Sequence, residues 1–164
     1  MKKLNGNLDC KINIAVFISG KGSNLLSIIK KSLTKESLFK VSLVLSNKKN
    51  VKGLLIAKKY NIKTLVSDFT KSNSKERKVI NILKKDQIKL VCLAGFMKIL
   101  SNNFITLFKG KIINIHPSLL PKYKGLNTHE KVIKNKDTYT GCTVHFVTKK
   151  LDSGKIILKK KIRV

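Results

Sequence analysis

Apolar residues fall along the chain in short runs, and the spacing inside the runs alternates between the period of two expected of a strand and the roughly 3.6 of a helix. KINIAVFIS, residues 11–19, is rich in β-branched residues and stops at Gly20, which predicts a first strand. Behind it, SNLLSIIKKS sets Leu25, Leu26, Ile28 and Ile29 at helical spacing. The alternation then repeats, with a strand at Phe39–Ser46, a helix over Val51–Tyr60, a strand in IKTLVS and an amphipathic helix over Ser74–Lys85. IKLVCLAGF, residues 88–96, is apolar on both faces, as a central parallel strand is. A short helix from Ser101 to Phe108 and the strand GKIINIH follow. After a proline segment, THEKVIKNK reads as a helix, and TGCTVHFVTKK and GKIILKKKIRV read as two strands joined through the turn LDSG.

Strand and helix in this rhythm predict an α/β fold: an open, mostly parallel twisted sheet with helices on both faces and an antiparallel C-terminal edge. At 164 residues, with no repeat and no Pro- or Ser-rich linker, the expectation is a single domain over residues 12–164 behind a flexible leader, residues 1–11. That leader has two lysines but no apolar stretch behind them, so it does not read as a secretory signal, and no apolar run is long enough to span a bilayer. Cys10, Cys92 and Cys142 are odd in number and widely spaced, which argues against a disulfide framework and a zinc site. The expected setting is a reducing cytoplasm.

The formal charge of +28 attracts polyanions in general. Only Arg77 and Arg163 are arginine, the residue best suited to bidentate phosphate and base contacts. The lysines recur singly or in small groups instead of forming one basic arm, so the charge reads as a solvated, compositionally biased surface rather than a specific nucleic-acid face.

In open parallel sheets, chemistry gathers beyond the carboxyl ends of the strands. Three such segments stand out. SGKGSN, residues 19–24, opens the first helix; its glycines and free helix-terminal amides suit an anion, and the same residues suit a plain tight turn with Ser23 as helix cap. In NIH, Asn114 and His116 share one face of a strand, so an amide donor and a proton-handling imidazole project together; such a pair at a strand end also serves structural roles, against which stands the rigid loop that Pro117 opens at once. In LDSG, Asp152 has the common reading of a turn former before Ser-Gly, and the functional reading of a carboxylate that orients His116 or raises its proton affinity. His129 and His145 read as structural by default, with a supporting polar role open to His145, which shares a strand face with Thr143.

Taken together, ISGKGSNL, LAGFMKILS, NIHPSLLPKYKGLNTHE and TVHFVTKKLDSGKIIL, in this order, resemble the folate-dependent phosphoribosylglycinamide formyltransferases. The resemblance implies a Rossmann-like formyltransferase fold and transfer of the formyl group of 10-formyltetrahydrofolate, the cosubstrate, to the amine of glycinamide ribonucleotide in purine synthesis. It implies that Gly22, Ser23 and Asn24 bind the ribonucleotide phosphate, and that Met97, Lys98, Ile99, Leu100 and Asn114 belong to the folate site. Lys75 takes the place of a family arginine there, with Arg77 as the other candidate. Asn114, His116 and Asp152 become the catalytic residues, with no metal. The expected partners are small molecules, with no specific nucleic acid, no membrane, and a monomer or homodimer. Lys124 and Asn127 stand where proline and histidine are usual. The resemblance also implies a domain lacking the family's C-terminal helix and strand; the alternatives are a decayed, catalytically weak or inactive relative with nonspecific polyanion binding, or a formyltetrahydrofolate hydrolase.

Overall fold

A computed structural model describes residues 11–69 and 73–164. The expected leader therefore lies outside the described residues, apart from Lys11. Among the described residues, seven strands form one sheet: β1 (Ile12–Ile18), β2 (Phe39–Ser46), β3 (Lys63–Val66), β4 (Leu90–Leu93), β5 (Lys111–His116), β6 (Tyr139–Phe146) and β7 (Ile156–Arg163). Five helices alternate with them: α1 (Ser23–Ser32), α2 (Lys52–Lys59), α3 (Asn73–Lys85), α4 (Asn102–Leu107) and α5 (Thr128–Lys134).

The strand order is β3-β2-β1-β4-β5-β6-β7; β1 to β5 run parallel, and β6 and β7 are antiparallel to their neighbours. The chain builds outward from β1 in one direction as far as β3, then crosses back to place β4 on the other side. This leaves a crevice above the carboxyl ends of β1 and β4, the place where such sheets bind ligands.

Alternation along β1 explains why helices cover both faces. Ala15 and Phe17 enter a core with Leu83 of α3 and Phe104 of α4, whereas Ile14, Val16 and Ile18 enter a second core with Leu25 and Ile29 of α1 and Ala57 of α2. The first core is dominated by aromatic rings: Phe17, Phe69, Phe96 and Phe104 meet at centroid distances of 5.3–6.2 Å, most of them edge-on. Both strands of the antiparallel edge were expected, but β7 differs from the rest, since all eight of its residues are exposed.

Two local expectations are corrected. β4 is only four residues long and ends at Leu93, because Gly95 takes φ +72° and turns the chain out of the sheet. Ser23 does not cap α1; Gly22 occupies that position with φ 80°, and no side chain caps the helix.

Candidate active site

β1 ends at Ile18 and α1 begins at Ser23, so residues 19–22 must turn sharply over the sheet. The turn lies against the start of α2, where the Gly53 N–H donates to the Gly20 carbonyl at 3.1 Å. Two glycines permit this approach: a Cβ on Gly22 would sit 2.7 Å from the Gly53 Cα, and one on Gly53 would sit 2.3 Å from the Ile18 side chain. The first intrahelical bond of α1 runs from the Leu26 N–H to the Gly22 carbonyl at 2.9 Å. The amides ahead of Leu26, on Ser23, Asn24 and Leu25, thus lack intrahelical acceptors, and an uncapped N-terminus keeps its partial positive charge for an anion.

Sheet register assembles the second part. β5 pairs with β6 so that Asn114 lies opposite His145 and His116 opposite Thr143. Asn114 Nδ2 consequently meets His145 Nε2 at 3.3 Å. His145 Nδ1 lies 2.9 Å from the Phe146 carbonyl, which can only accept, so Nδ1 carries a proton and the lone pair of the neutral ring falls on Nε2, toward the Asn114 amide. His145 is 2% exposed and belongs to the cluster rather than to the bulk core.

Asp152 lies near both histidines. Its Oδ2 lies 3.5 Å from His116 Nδ1, and its Oδ1 lies 3.5 Å from His145 Nε2. Asp152 sits at φ 44° in the turn between β6 and β7, a left-handed conformation that Asp tolerates better than most residues, and its carboxylate points inward. The turn-former and His-orienting readings of this residue are thus compatible. The Gly125 N–H donates to Oδ2 at 2.9 Å, so the carboxylate also ties down the far end of the proline segment.

That segment folds over the cluster and largely satisfies its own backbone. Thr143, fully buried, donates to the Ser118 carbonyl at 2.7 Å and accepts from the Leu120 N–H at 3.1 Å. Ser118 donates to the Lys122 carbonyl at 2.6 Å, and the Leu120–Pro121 bond is cis. His116 Nε2 donates to the Tyr123 carbonyl at 2.8 Å, so both nitrogens of a ring that is 5% exposed face oxygens. From the outside, the Lys122 ammonium bonds Asp137 at 2.6 Å. That hydrogen bond, with a further contribution from Tyr123, holds the Asp137 carboxyl below its ordinary range and Lys122 above its own.

The third part follows β4. Met97, Lys98 and Ile99 stand exposed and Leu100 is buried, so the chain rises from the sheet and dips back into the core. Lys75, at the start of α3, is half exposed and 3.9 Å from Asp68. Its neighbour Glu76 is buried, and its carboxylate accepts from both the hydroxyl and the N–H of Ser101, which brings α3 beside the end of the 97–100 segment. Arg77 instead lines a separate cleft with Lys89, Lys109 and Gly110, at the opposite ends of β4 and β5.

A largely apolar cavity of about 380 Å³ runs along the sheet between Ile12, Phe39 and Ile113, and Asn24 of α1, Ala94 after β4 and Asn114 of β5 also line it. Cys92 also borders it, and burial pushes its thiol up to about 11, so it is no ready nucleophile. Among the described residues, no group of three His, Cys, Asp or Glu side chains is arranged to hold a metal, and no helix is long and apolar enough to cross a membrane. Sequence reasoning left His145 as structural by default, since its pairing with Asn114 has no local signal, and it missed Gly53, whose signal was a glycine inside a helical pattern.

Residues 12–164 match the family described as formyl transferase. The chain is 43% identical over 156 residues to the phosphoribosylglycinamide formyltransferase of Escherichia coli, covering 93% of this chain and 74% of that protein. It is equally 43% identical over 157 residues to the trifunctional purine biosynthetic protein adenosine-3 of Gallus gallus, but spans only 16% of that relative's length. The crystal structure of phosphoribosylglycinamide formyltransferase from Anaplasma phagocytophilum superimposes with a TM-score of 0.88 at 43% identity, over 94% of this chain and 73% of that one. On the length of this match, the fold and the order of its motifs, the chain belongs to the formyl transferase family.

Proposed function

We propose that the protein transfers the formyl group of 10-formyltetrahydrofolate to the amine of glycinamide ribonucleotide. The observation that carries this reading is the convergence of Asn114, His116, Asp152 and His145 at the carboxyl end of β5, beside the cavity that Asn24 and Asn114 share. The relatives bearing the formyltransferase name supply the reaction class.

In this reading the ribonucleotide phosphate lies on the amides of Gly22, Ser23 and Asn24, where the uncapped helix end offers donors and positive potential. The folate occupies the exposed segment Met97–Leu100, with Lys75 as its cation; Lys75 is preferred to Arg77 because α3 turns Arg77 toward the other cleft. The amine attacks the formyl carbon, and a tetrahedral oxyanion forms. Asn114, held through His145, donates its remaining amide proton to that oxygen. His116 exchanges its Nε2 bond with the Tyr123 carbonyl for one to the same oxygen, while Asp152 balances the imidazolium at Nδ1. The proton of the attacking amine passes by way of the Asp152 carboxylate to the folate nitrogen, which leaves as a neutral amine as its bond to the formyl carbon breaks and the oxyanion re-forms the carbonyl. A cytoplasmic location and a monomeric or homodimeric state belong to the same proposal.

The experiment is formyl transfer from 10-formyltetrahydrofolate to glycinamide ribonucleotide by the purified protein and by His116→Ala. The expected result is a fall of about 10²- to 10⁴-fold in kcat, the range of a lost general acid–base group. Equal turnover in the two proteins would remove His116 from the mechanism. Formate release that needs no ribonucleotide would replace the acceptor amine with water and favour a hydrolase.

A further inference from the structure

A polar bridge outside the histidine cluster joins the ends of three adjacent strands. Ser19 follows β1 directly and is 6% exposed. The Met97 N–H, beyond β4, donates to Ser19 Oγ at 2.7 Å. Because a backbone amide can only donate, the hydroxyl accepts there, and its single proton goes to Asn47 Oδ1, 2.5 Å away beyond β2. Asn47 is seated in a held turn: the Ser46 hydroxyl donates to the Lys48 carbonyl at 2.8 Å and accepts from the Lys48 N–H at 3.0 Å.

The segment that Ser19 holds needs such a support. Met97 and Ile99 are 64% and 75% exposed, so their side chains do not anchor it. Its start is fixed where the Ala94 N–H donates to the Phe17 carbonyl at 2.9 Å, and its far end by buried Leu100 and the Glu76–Ser101 bonds. Between those ends, the Met97 amide is drawn toward the sheet by Ser19. The same serine immediately precedes Gly20, which packs on α2, so one hydroxyl references the loop after β4 to the loop after β1.

We infer that Ser19 and Asn47 are positioning residues for the formyl-donor segment, setting the height and direction of residues 97–100 without touching either substrate. This rests on the proposed function for its kinetic consequence but not for its structural one. Loss of the Ser19 hydroxyl would leave the Met97 N–H facing a buried methyl and let the segment shift, at a cost comparable to one hydrogen bond.

The test compares wild type, Ser19→Ala, Asn47→Ala and Ser19→Thr by steady-state kinetics with each substrate varied, and by amide hydrogen exchange at Met97. Both alanine variants should raise KM for 10-formyltetrahydrofolate about ten-fold, with kcat and the ribonucleotide KM moving less than about two-fold. Ser19→Thr, which keeps the hydroxyl, should return the donor KM to near wild type. Met97 exchange should quicken about ten-fold in Ser19→Ala. An unchanged donor KM, equal rises in both KM values, or no rescue by threonine would overturn the inference. Should wild type transfer no formyl group, the functional reading falls, and the exchange data decide alone: an equally protected Met97 amide in Ser19→Ala would overturn the positioning role.

Discussion

At the scale of single residues, the site is a set of mutual constraints on hydrogen-bond direction. The Phe146 carbonyl sets the proton on His145 Nδ1, which leaves Nε2 to hold the Asn114 amide, so the second N–H of Asn114 is aimed rather than free to rotate. In the proposed mechanism His145 therefore acts through Asn114. Asn114→Ala is expected to lower kcat about 10²- to 10³-fold, as removal of an oxyanion donor does. His145→Ala should cost about ten- to a hundred-fold, since the amide remains but loses its partner. In steady-state assays the double variant should be no slower than Asn114→Ala alone; full additivity would mean that His145 acts by a separate route.

At the scale of elements, the site depends on how closely its loops lie on their supports. The turn before α1 rests on the first turn of α2, and Gly53→Ala would drive a methyl against Ile18 and within 3.1 Å of the Gly20 carbonyl. The expected outcome is a stability loss of about 1–3 kcal/mol in denaturant titration, with a raised KM for the ribonucleotide and a smaller change for the formyl donor. A silent Gly53→Ala would mean that the turn does not need that contact. The proline segment is held on its outer side by Lys122 and Asp137. The carboxyl of Asp137 is depressed below its ordinary 3.8, so its stabilising effect is present above that value and is lost as pH falls through the lower folded value. Amide exchange across residues 118–125, corrected for intrinsic rates, should show loss of protection as pH falls below 3.8, and Asp137→Asn should show the looser state at neutral pH.

For the whole molecule, charge is the dominant uncompensated term. With 36 cationic and 8 acidic residues, the folded chain repels itself, and the ion pairs Lys63–Asp86 and Lys122–Asp137 neutralise little of it. Raising salt from about 0.01 M to about 0.15 M shortens the screening length from roughly 30 to 8 Å, so Tm should rise with salt. A falling Tm would indicate that attractive pairs outweigh repulsion. The same lysines have a use on β7, where Lys159, Lys160 and Lys161 punctuate an exposed strand bearing Ile157, Leu158 and Ile162, and like charge opposes edge pairing between copies.

The parallel sheet, the helices on both faces and the antiparallel edge were all legible in the sequence, because hydrophobic periodicity is a local property set by which residues must face a core. Asn114 and His116 were legible as neighbours for the same reason, since alternation along one strand puts residues two apart on one face. Their encounter with Asp152, the recruitment of His145, the approach of Gly22 to Gly53 and the bridge from Ser19 to Asn47 and Met97 were decided only by tertiary structure. Each depends on strand order and register, which bring together segments 28 to 78 residues apart through backbone pairing that carries no mark in the local pattern.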